Sequence, residues 1–396
     1  MLSPTQRLYY DDAYLTAFDG AVLACRDGWA ALDRSAFYPT SGGQPFDTGI
    51  LTAMGQDHAV TDVQVKDGVV WHRIDAALPE GTPVHGRIDW PRRFDHMQQH
   101  AGDHMLAGAG WQLFGATTIG LHLGSEISSI DLDFPDGRTR LSDEEIDRWE
   151  ALVNERVQQD DPIRCWFPGP ESLAALPLRK PPTVKEHVRV VAMGDYEMVA
   201  CGGTHPRTTG QIGPIKILSC APSRGKMRLT FVSGMRATRY IAKACRCAHG
   251  LAAALSADLD SALPALKKER EAAQSERRAL QTQLTDAALD VLQASARPIP
   301  GGALYAGHIP FLSPAQLQAA ASQLTRQESA AVLVSCPGKS GNTLLFCRGT
   351  GLEGDMAALL RQCGARGGGK PDWAQGSAAD DHALQNAIAM LTKEKE

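Results

Sequence analysis

The sequence predicts an α+β chain with a small N-terminal β-barrel domain, an α/β core, a helical spacer and a C-terminal α/β module. Three observations carry this. β signals dominate before Trp90-Pro91, helix and strand signals mix after it, and an Ala/Leu/Gln/Arg/Glu-rich stretch precedes a last alternation of strands and helices. At 396 residues the chain exceeds one ordinary hydrophobic core, so domains are expected at 1–90, 91–248, 249–297 and 298–396.

The β signals at 21–25, 49–53, 60–65 and 68–74 are bounded by Gly, Asp and Pro. Among them lies a loop with Gly42 and Gly43. From Arg92 to Gly108 there is no proline and little β-branching, which predicts a helix with Asp95 in its early turns. Strands are expected at 117–123, 128–134 and 188–192, with a helix over 142–158 capped by Ser142 and Glu145. Further strands fall at 211–218 and 227–232, then a helix at 236–254. The leucines at 255, 259, 266, 280, 284, 289 and 292 make the spacer amphipathic, with Pro264 as a kink or a start. The last module reads as strands 330–335 and 342–348, helices 313–325, 355–363 and 379–392, and a glycine-rich loop at 364–373 carrying Arg366 and Lys370.

Composition excludes several classes. Apolar residues at 43% and charged residues at 21% exclude a wholly disordered chain. No apolar run approaches the roughly 18–20 residues that span a bilayer, and the N-terminus has no signal-peptide pattern. Nine irregularly scattered cysteines argue against a disulfide framework. A soluble, cytoplasmic protein is the expectation.

The net charge of −5 hides an asymmetry. From Cys201 to Arg246 the chain carries nine cations (Arg207, Lys216, Arg224, Lys226, Arg228, Arg236, Arg239, Lys243, Arg246) and no acid, while the remainder stands at −14. Screening over about 8–10 Å keeps a distant negative charge from cancelling such a strip, so a polyanionic partner is expected there.

Histidines at 96, 100 and 104 recur every four residues of the predicted helix, so neighbours lie about 40° apart on one face and can grip one cation in pairs. Far downstream, Cys201-Gly202-Gly203-Thr204-His205 lets a thiolate and an imidazole converge around two glycines. Two of the helix histidines with Cys201 and His205 would make an N₃S set suited to Zn²⁺; the spacing leaves open which two.

These motifs resemble those of the freestanding AlaX proteins and the editing domain of alanyl-tRNA synthetase. The segment from Ala36 to Gly49 is similar to the family's glycine-rich motif, Arg92 to Leu106 to its first zinc motif, Cys201 to His205 to its second, and Ser223 to Arg236 to the basic strand that follows. The Gly367-Gly368-Gly369-Lys370-Pro371-Asp372 loop resembles the synthetase C-terminal domain, which points to the long AlaX form. No aminoacylation domain precedes, so an ATP-independent protein is expected.

The resemblance implies a zinc-containing editing core in which His100, His104, Cys201 and His205 hold one Zn²⁺, with His96 the competing ligand. It implies a hydrolase that removes serine or glycine from alanine tRNA. Gln98, Gln99, Asp103 and Thr204 become candidates for orienting water or reading a serine hydroxyl. His122 falls where the synthetase carries a polar pocket residue, and Asp103 replaces a small hydroxyl residue. Gly42 and Gly43 offer backbone to the substrate, Arg224, Lys226 and Arg228 meet acceptor-stem phosphates, and Arg366 and Lys370 touch the tRNA farther away. The spacer or the C-terminal domain would serve for a homodimer. A zinc-stabilised tRNA-binding module without catalysis is the alternative.

Overall fold

The computed structural model describes residues 2–184, 186–339 and 341–392. The chain divides into two compact units, 1–248 and 249–396.

The first unit opens with seven strands: β1 (Ala17–Arg26), β2 (Trp29–Leu32), β3 (Gly49–Ala53), β4 (Gln56–Val60), β5 (Asp62–Lys66), β6 (Val69–Arg73) and β7 (Pro83–Ile88). They form one antiparallel sheet in the order β4-β3-β7-β1-β2-β6-β5. β1 pairs with β7 through Ala17–Ala21 and with β2 from Val22 onward, with a register shift between Val22 and Ala24 that bends the sheet around Phe18, Leu32, Phe37, Leu51 and Val63. The expected barrel does not close. β4 and β5 end the sheet and share no ladder. The continuous strand expected at 60–65 breaks at Thr61, whose N–H donates to Arg73 O, so β4 pairs only with β3 and β5 only with β6.

Helix α1 (Trp90–Phe114) follows, longer than expected at both ends. Asp89 caps it, accepting from Arg92 N, Pro91 sits in the first turn, and Gly115 ends it in the left-handed conformation at φ 66°. The fully buried Arg93 near its start donates to both oxygens of the equally buried Asp47 and to the carbonyls of Ala13 and Ala36. This ties the helix to the glycine-rich segment of the β region. Asp95 falls past the first turn, where it takes the guanidinium of Arg236.

Next come β8 (Thr117–Leu123), β9 (Ser128–Asp133), α2 (Asp143–Gln158), β10 (Ile163–Trp166), β11 (Val190–Met193), β12 (Glu197–Ala200), β13 (Ile215–Ser223) and β14 (Lys226–Ser233). The capping box of Ser142 and Glu145 on α2 is present. β8-β9-β14-β13 make one antiparallel sheet and β10-β11-β12 another. The strand expected from residue 211 starts only at Ile215, after a 3₁₀ turn over Thr209–Ile212. Met105, Leu106, Trp149, Val153, Leu229 and Phe231 pack α1 and α2 on the four-stranded sheet, and Trp149 Nε1 donates to Leu106 O at 3.0 Å. Helix α3 (Gly234–Ala254) crosses the boundary between the units.

The second unit contains α4 (Leu259–Ala294), β15 (Arg297–Ile299), β16 (Gly302–His308), α5 (Pro314–Leu324), β17 (Ala330–Gly338), β18 (Gly341–Arg348), α6 (Met356–Gln362), β19 (Arg366–Lys370), β20 (Trp373–Ala378) and α7 (His382–Thr392). Pro264 lies inside α4, past a start capped by Asp258. The six-stranded sheet runs β15-β16-β17-β18-β20-β19, and only the β16–β17 pair is parallel. The glycine-rich stretch expected as a loop is the edge strand β19, paired to β20 in a hairpin that turns at Pro371-Asp372.

Candidate metal centre and its cavity

α1 carries His100 and His104 one turn apart, their rings stacked with centroids 5.1 Å apart. β12 ends at Ala200, and Cys201 to His205 then folds back onto that face of the helix. His205 comes within 4.7 Å of the His100 centroid and 4.9 Å of that of His104. Cys201 Sγ lies 3.4 Å from both His100 Nε2 and His205 Nε2. One donor atom from each of the four residues lies within 4.8 Å of the others. A tetrahedral ion with about 2.3 Å to sulfur and about 2.0 Å to nitrogen would hold S and N about 3.5 Å apart, so the observed spacing fits a shared metal ion. His96 stays outside the cluster.

Supporting groups fix these donors. Gln44, fully buried in the glycine-rich loop, accepts at Oε1 from His100 Nδ1 (2.8 Å) and from Thr204 N (3.1 Å), and donates through Nε2 to Thr204 Oγ1 (2.8 Å). This amide sets His100 with Nδ1 protonated and Nε2 free for an ion, as carbonyl or carboxylate partners do for metal-bound histidines. Arg189 donates to Cys201 O (3.1 Å) and Gly203 O (2.7 Å), holding the Cys–Gly–Gly turn. Gly203 is required by space: a Cβ there would overlap the His100 ring. Both nitrogens of His104 and Nδ1 of His205 are buried without a hydrogen-bond partner among the described residues. Orphaned buried nitrogens beside a thiol are costly unless something binds them, which favours a cation at this point.

Burial also governs the protonation of the set. It holds His100 down to about 3 and His104 and His205 well below the usual imidazole range, so all three are neutral donors near pH 7. It pushes the Cys201 thiol up to about 12, against a partial offset from the Gly203 N–H and from Arg189. A dication is what such a site lacks, because metal binding displaces the thiol proton.

Three of the four donors, His100, His104 and Cys201, border a cavity of about 800 Å³ in the first unit. His100, Asp103, His104 and Cys201 form one wall; Gly42, Tyr10, Phe167, Arg7 and Lys180 also line it. Tyr10 and Phe167 meet edge to face at 5.5 Å, and the Arg189 guanidinium stands 5.2 Å from the centroid of Tyr10. Burial pushes the Asp103 carboxyl up to about 7, with Arg179 pulling the other way and Glu197 adding to the rise.

Of the other expected site residues, only Gly42 lines the cavity. Two residues along a helix is about 200° around it, and Gln98 accordingly points away from the His100 face, its Nε2 donating to Gln211 O. Gln99 is fully buried and clasps Ser233 through both backbone groups. Neither Gln98 nor Gln99 is among the residues that line the cavity. Thr204 is fully buried with its hydroxyl held by Gln44, behind the cavity wall. His122 is exposed on β8 and outside the lining, which takes its neighbour Leu121 instead. Gly42 lines the cavity at φ 57°, while Gly43, at φ 87°, lies so close to Leu121 that a Cβ would press on that residue's carbonyl. In the basic strip, Lys226 pairs with Asp133 and Arg228 with Asp131 through two hydrogen bonds, while Arg224 is exposed at the β13–β14 turn. Arg366 and Lys370 are exposed at the two ends of β19. Gln44, Arg189 and the buried Arg179–Glu197 pair were not singled out from the sequence; only Gln44 gave a signal there, as the polar residue directly after two glycines.

Residues 12–92 match the family of tRNA synthetases class II (A), and residues 188–229 match the threonyl and alanyl tRNA synthetase second additional domain. The alanine–tRNA ligase of Thermococcus kodakarensis is 30% identical over 411 residues, covering 99% of this chain and 44% of its own, and that of Pyrococcus abyssi is 31% identical with the same coverage. The chain is homologous to the alanyl-tRNA synthetases. It agrees with the AlaX resemblance drawn from its motifs. The ligase of Pyrococcus furiosus is 38% identical over 250 residues, 60% of this chain and 27% of its own. The chain thus spans less than half the length of these synthetases. The C-Ala domain of Aquifex aeolicus alanyl-tRNA synthetase matches 24% of the chain at 17% identity and a TM-score of 0.23, too slight a likeness to bear on the fold.

Proposed function

We propose that this protein is a trans-editing hydrolase, an aminoacyl-tRNA deacylase that cleaves the ester joining serine or glycine to the 3′ end of alanine tRNA. The observation that carries this reading is the meeting of His100, His104, Cys201 and His205 in one cluster, three of whose members line one cavity. Homology to proteins named alanine–tRNA ligase supports alanine tRNA as the carrier. A synthetase cannot exclude glycine by size, nor reject a small extra hydroxyl strongly on binding alone, and a second hydrolytic site is the physical remedy.

We assign one Zn²⁺ per chain to the N₃S set, a donor combination suited to that ion. Bound there, it supplies positive charge and Lewis acidity at the cavity wall. The chain does the rest: Gln44 keeps His100 in one tautomer, Arg189 holds the Cys201 turn, and the Gly42 backbone borders the cavity. Tyr10 and Phe167 offer ring faces to the terminal base, and Arg7 and Lys180 offer charge to its phosphate. Arg224, Arg239, Lys243 and Arg246 have no ion pair among the described residues and can meet acceptor-stem phosphates, with Lys226 and Arg228 contributing less. Arg366 and Lys370 would contact the tRNA from the second unit. In this reading the four expected parts at 1–90, 91–248, 249–297 and 298–396 are β domain, editing core, spacer and C-terminal domain. The exposed Leu259, Leu263, Leu266, Leu280 and Leu284 of α4 support a homodimer through the spacer. No described helix is long and apolar enough to cross a membrane, in keeping with a cytoplasmic place of work.

One observation favours the alternative of a zinc-stabilised tRNA-binding module: four protein donors make a closed set, as in structural sites. Purified protein mixed with serine-, glycine- and alanine-charged alanine tRNA separates the two. Release of serine or glycine with alanine spared supports editing; tight binding without release supports the module.

A further inference from the structure

The cavity beside the candidate metal centre is lined by charges of different exposure. Lys180 is exposed and Arg7 half-buried, Arg179 and Arg189 are more deeply placed, and one acid of the lining, Glu186, is exposed. Asp103 is the buried acid of the lining, only 6% exposed and on the same wall as His100 and His104. Its Oδ1 is buried with no hydrogen-bond partner among the described residues. The nearby cations are committed elsewhere: the Arg179 Nε donates to both oxygens of Glu197 and its Nη1 to Thr118, and Arg189 holds the backbone of the metal turn. A carboxylate buried in a cavity wall without a partner is costly unless a ligand supplies the missing donor.

We infer that Asp103 receives the α-ammonium group of the esterified amino acid. The inference rests on the deacylase reading and deepens it. An aminoacylated RNA terminus is anionic along its phosphates and cationic at one point only, the amine beside the ester carbonyl. The cavity offers the complement, with the more exposed cations Arg7 and Lys180 free for phosphate, Arg179 and Arg189 already bound to protein groups, and one buried acid beside three of the metal donors. Asp103 thereby selects esters that carry a free α-amine, and it fixes the carbonyl relative to the metal-bearing wall by gripping the adjacent carbon. It is a substrate-binding residue, and the hydrolysis itself needs no bond to it.

Two substrates isolate this contact: alanine tRNA esterified with serine, and the same tRNA esterified with glyceric acid, in which a hydroxyl replaces the amine. Asp103→Asn and Asp103→Ser are compared with the unaltered protein. The seryl-to-glyceryl ratio of kcat/KM should fall about 10- to 100-fold in both variants, through loss on the seryl ester, with the glyceryl ester changed less than about threefold. Parallel loss on both esters, or an unchanged ratio, overturns the inference while leaving the deacylase reading in place. An unaltered protein inert toward both esters removes the deacylase reading and this inference with it.

Discussion

The metal centre and the basic strip sit next to each other in the chain and are built on opposite principles. The centre collects buried atoms that have no hydrogen-bond partner among the described residues, both nitrogens of His104 and Nδ1 of His205, around a buried thiol, Cys201. The strip does the reverse. Five of its nine cations already have an acid within reach: Arg207 with Asp12, Lys216 with Glu150, Lys226 with Asp133, Arg228 with Asp131 and Arg236 with Asp95. Those acids come from segments outside the strip, so a stretch free of acid in sequence is not free of acid in space. What remains available is Arg224 and the α3 residues Arg239, Lys243 and Arg246, spaced four and three apart along one helical face. A ligand site is recognised by what it leaves unsatisfied, and a charge run must first be discounted for its partners.

The sharpest break of that contrast is Cys201→Ala. It should remove the metal, measured by elemental analysis, and lower serine release at least about 100-fold, since only three donors remain. Gln44→Ala should cost about 10- to 100-fold in metal affinity by freeing the His100 ring, read by competition with a chelator. For the strip, replacing Arg224, Arg239, Lys243 and Arg246 together by Gln should flatten the slope of log K for tRNA against log salt by about 3 to 4, while replacing the paired Lys226 and Arg228 should change it far less; titrations at several salt concentrations decide.

The metal-stripped protein should lose stability as pH falls below about 6.5. Burial holds His100 at about 3 and His72 and His96 at about 4, so in that window the unfolded chain binds protons that the folded chain refuses. Denaturant midpoints between pH 7 and pH 5 check the sign. The smallest effect is expected from Arg228→Ala, which breaks an exposed pair with Asp131 and should leave the thermal or denaturant midpoint indistinguishable from that of the unaltered protein.

Much of the fold was legible because it rests on local signals. The turn chemistry around β3, the capping box of α2 and the four-residue histidine spacing each depend on residues within a few positions of one another. The Cys–Gly–Gly–Thr–His turn was legible for the same reason, since its glycines announce a backbone that must approach something closely. Features set by long-range pairing were not. Whether β4 meets β5 cannot be read from either strand, and the glycines at 367–369 look like a loop because nothing in them shows that β20 will pair with them. Gln98 and Gln99 stood beside the ligands in sequence, yet helical rotation and the backbone at Gln211 and Ser233 claimed them. Gln44, 56 residues from His100, is the amide that holds the ligand ring, a pairing no local pattern announces.

X-ray absorption at the metal edge of the purified full chain, with elemental analysis on the same sample, tests the centre most directly. The predicted result is one zinc per chain in a shell of one sulfur and three nitrogens, collapsing to a sulfur-free signal or to no metal in Cys201→Ala. A shell without sulfur in the unaltered protein, or a fully active metal-free chain, would contradict it.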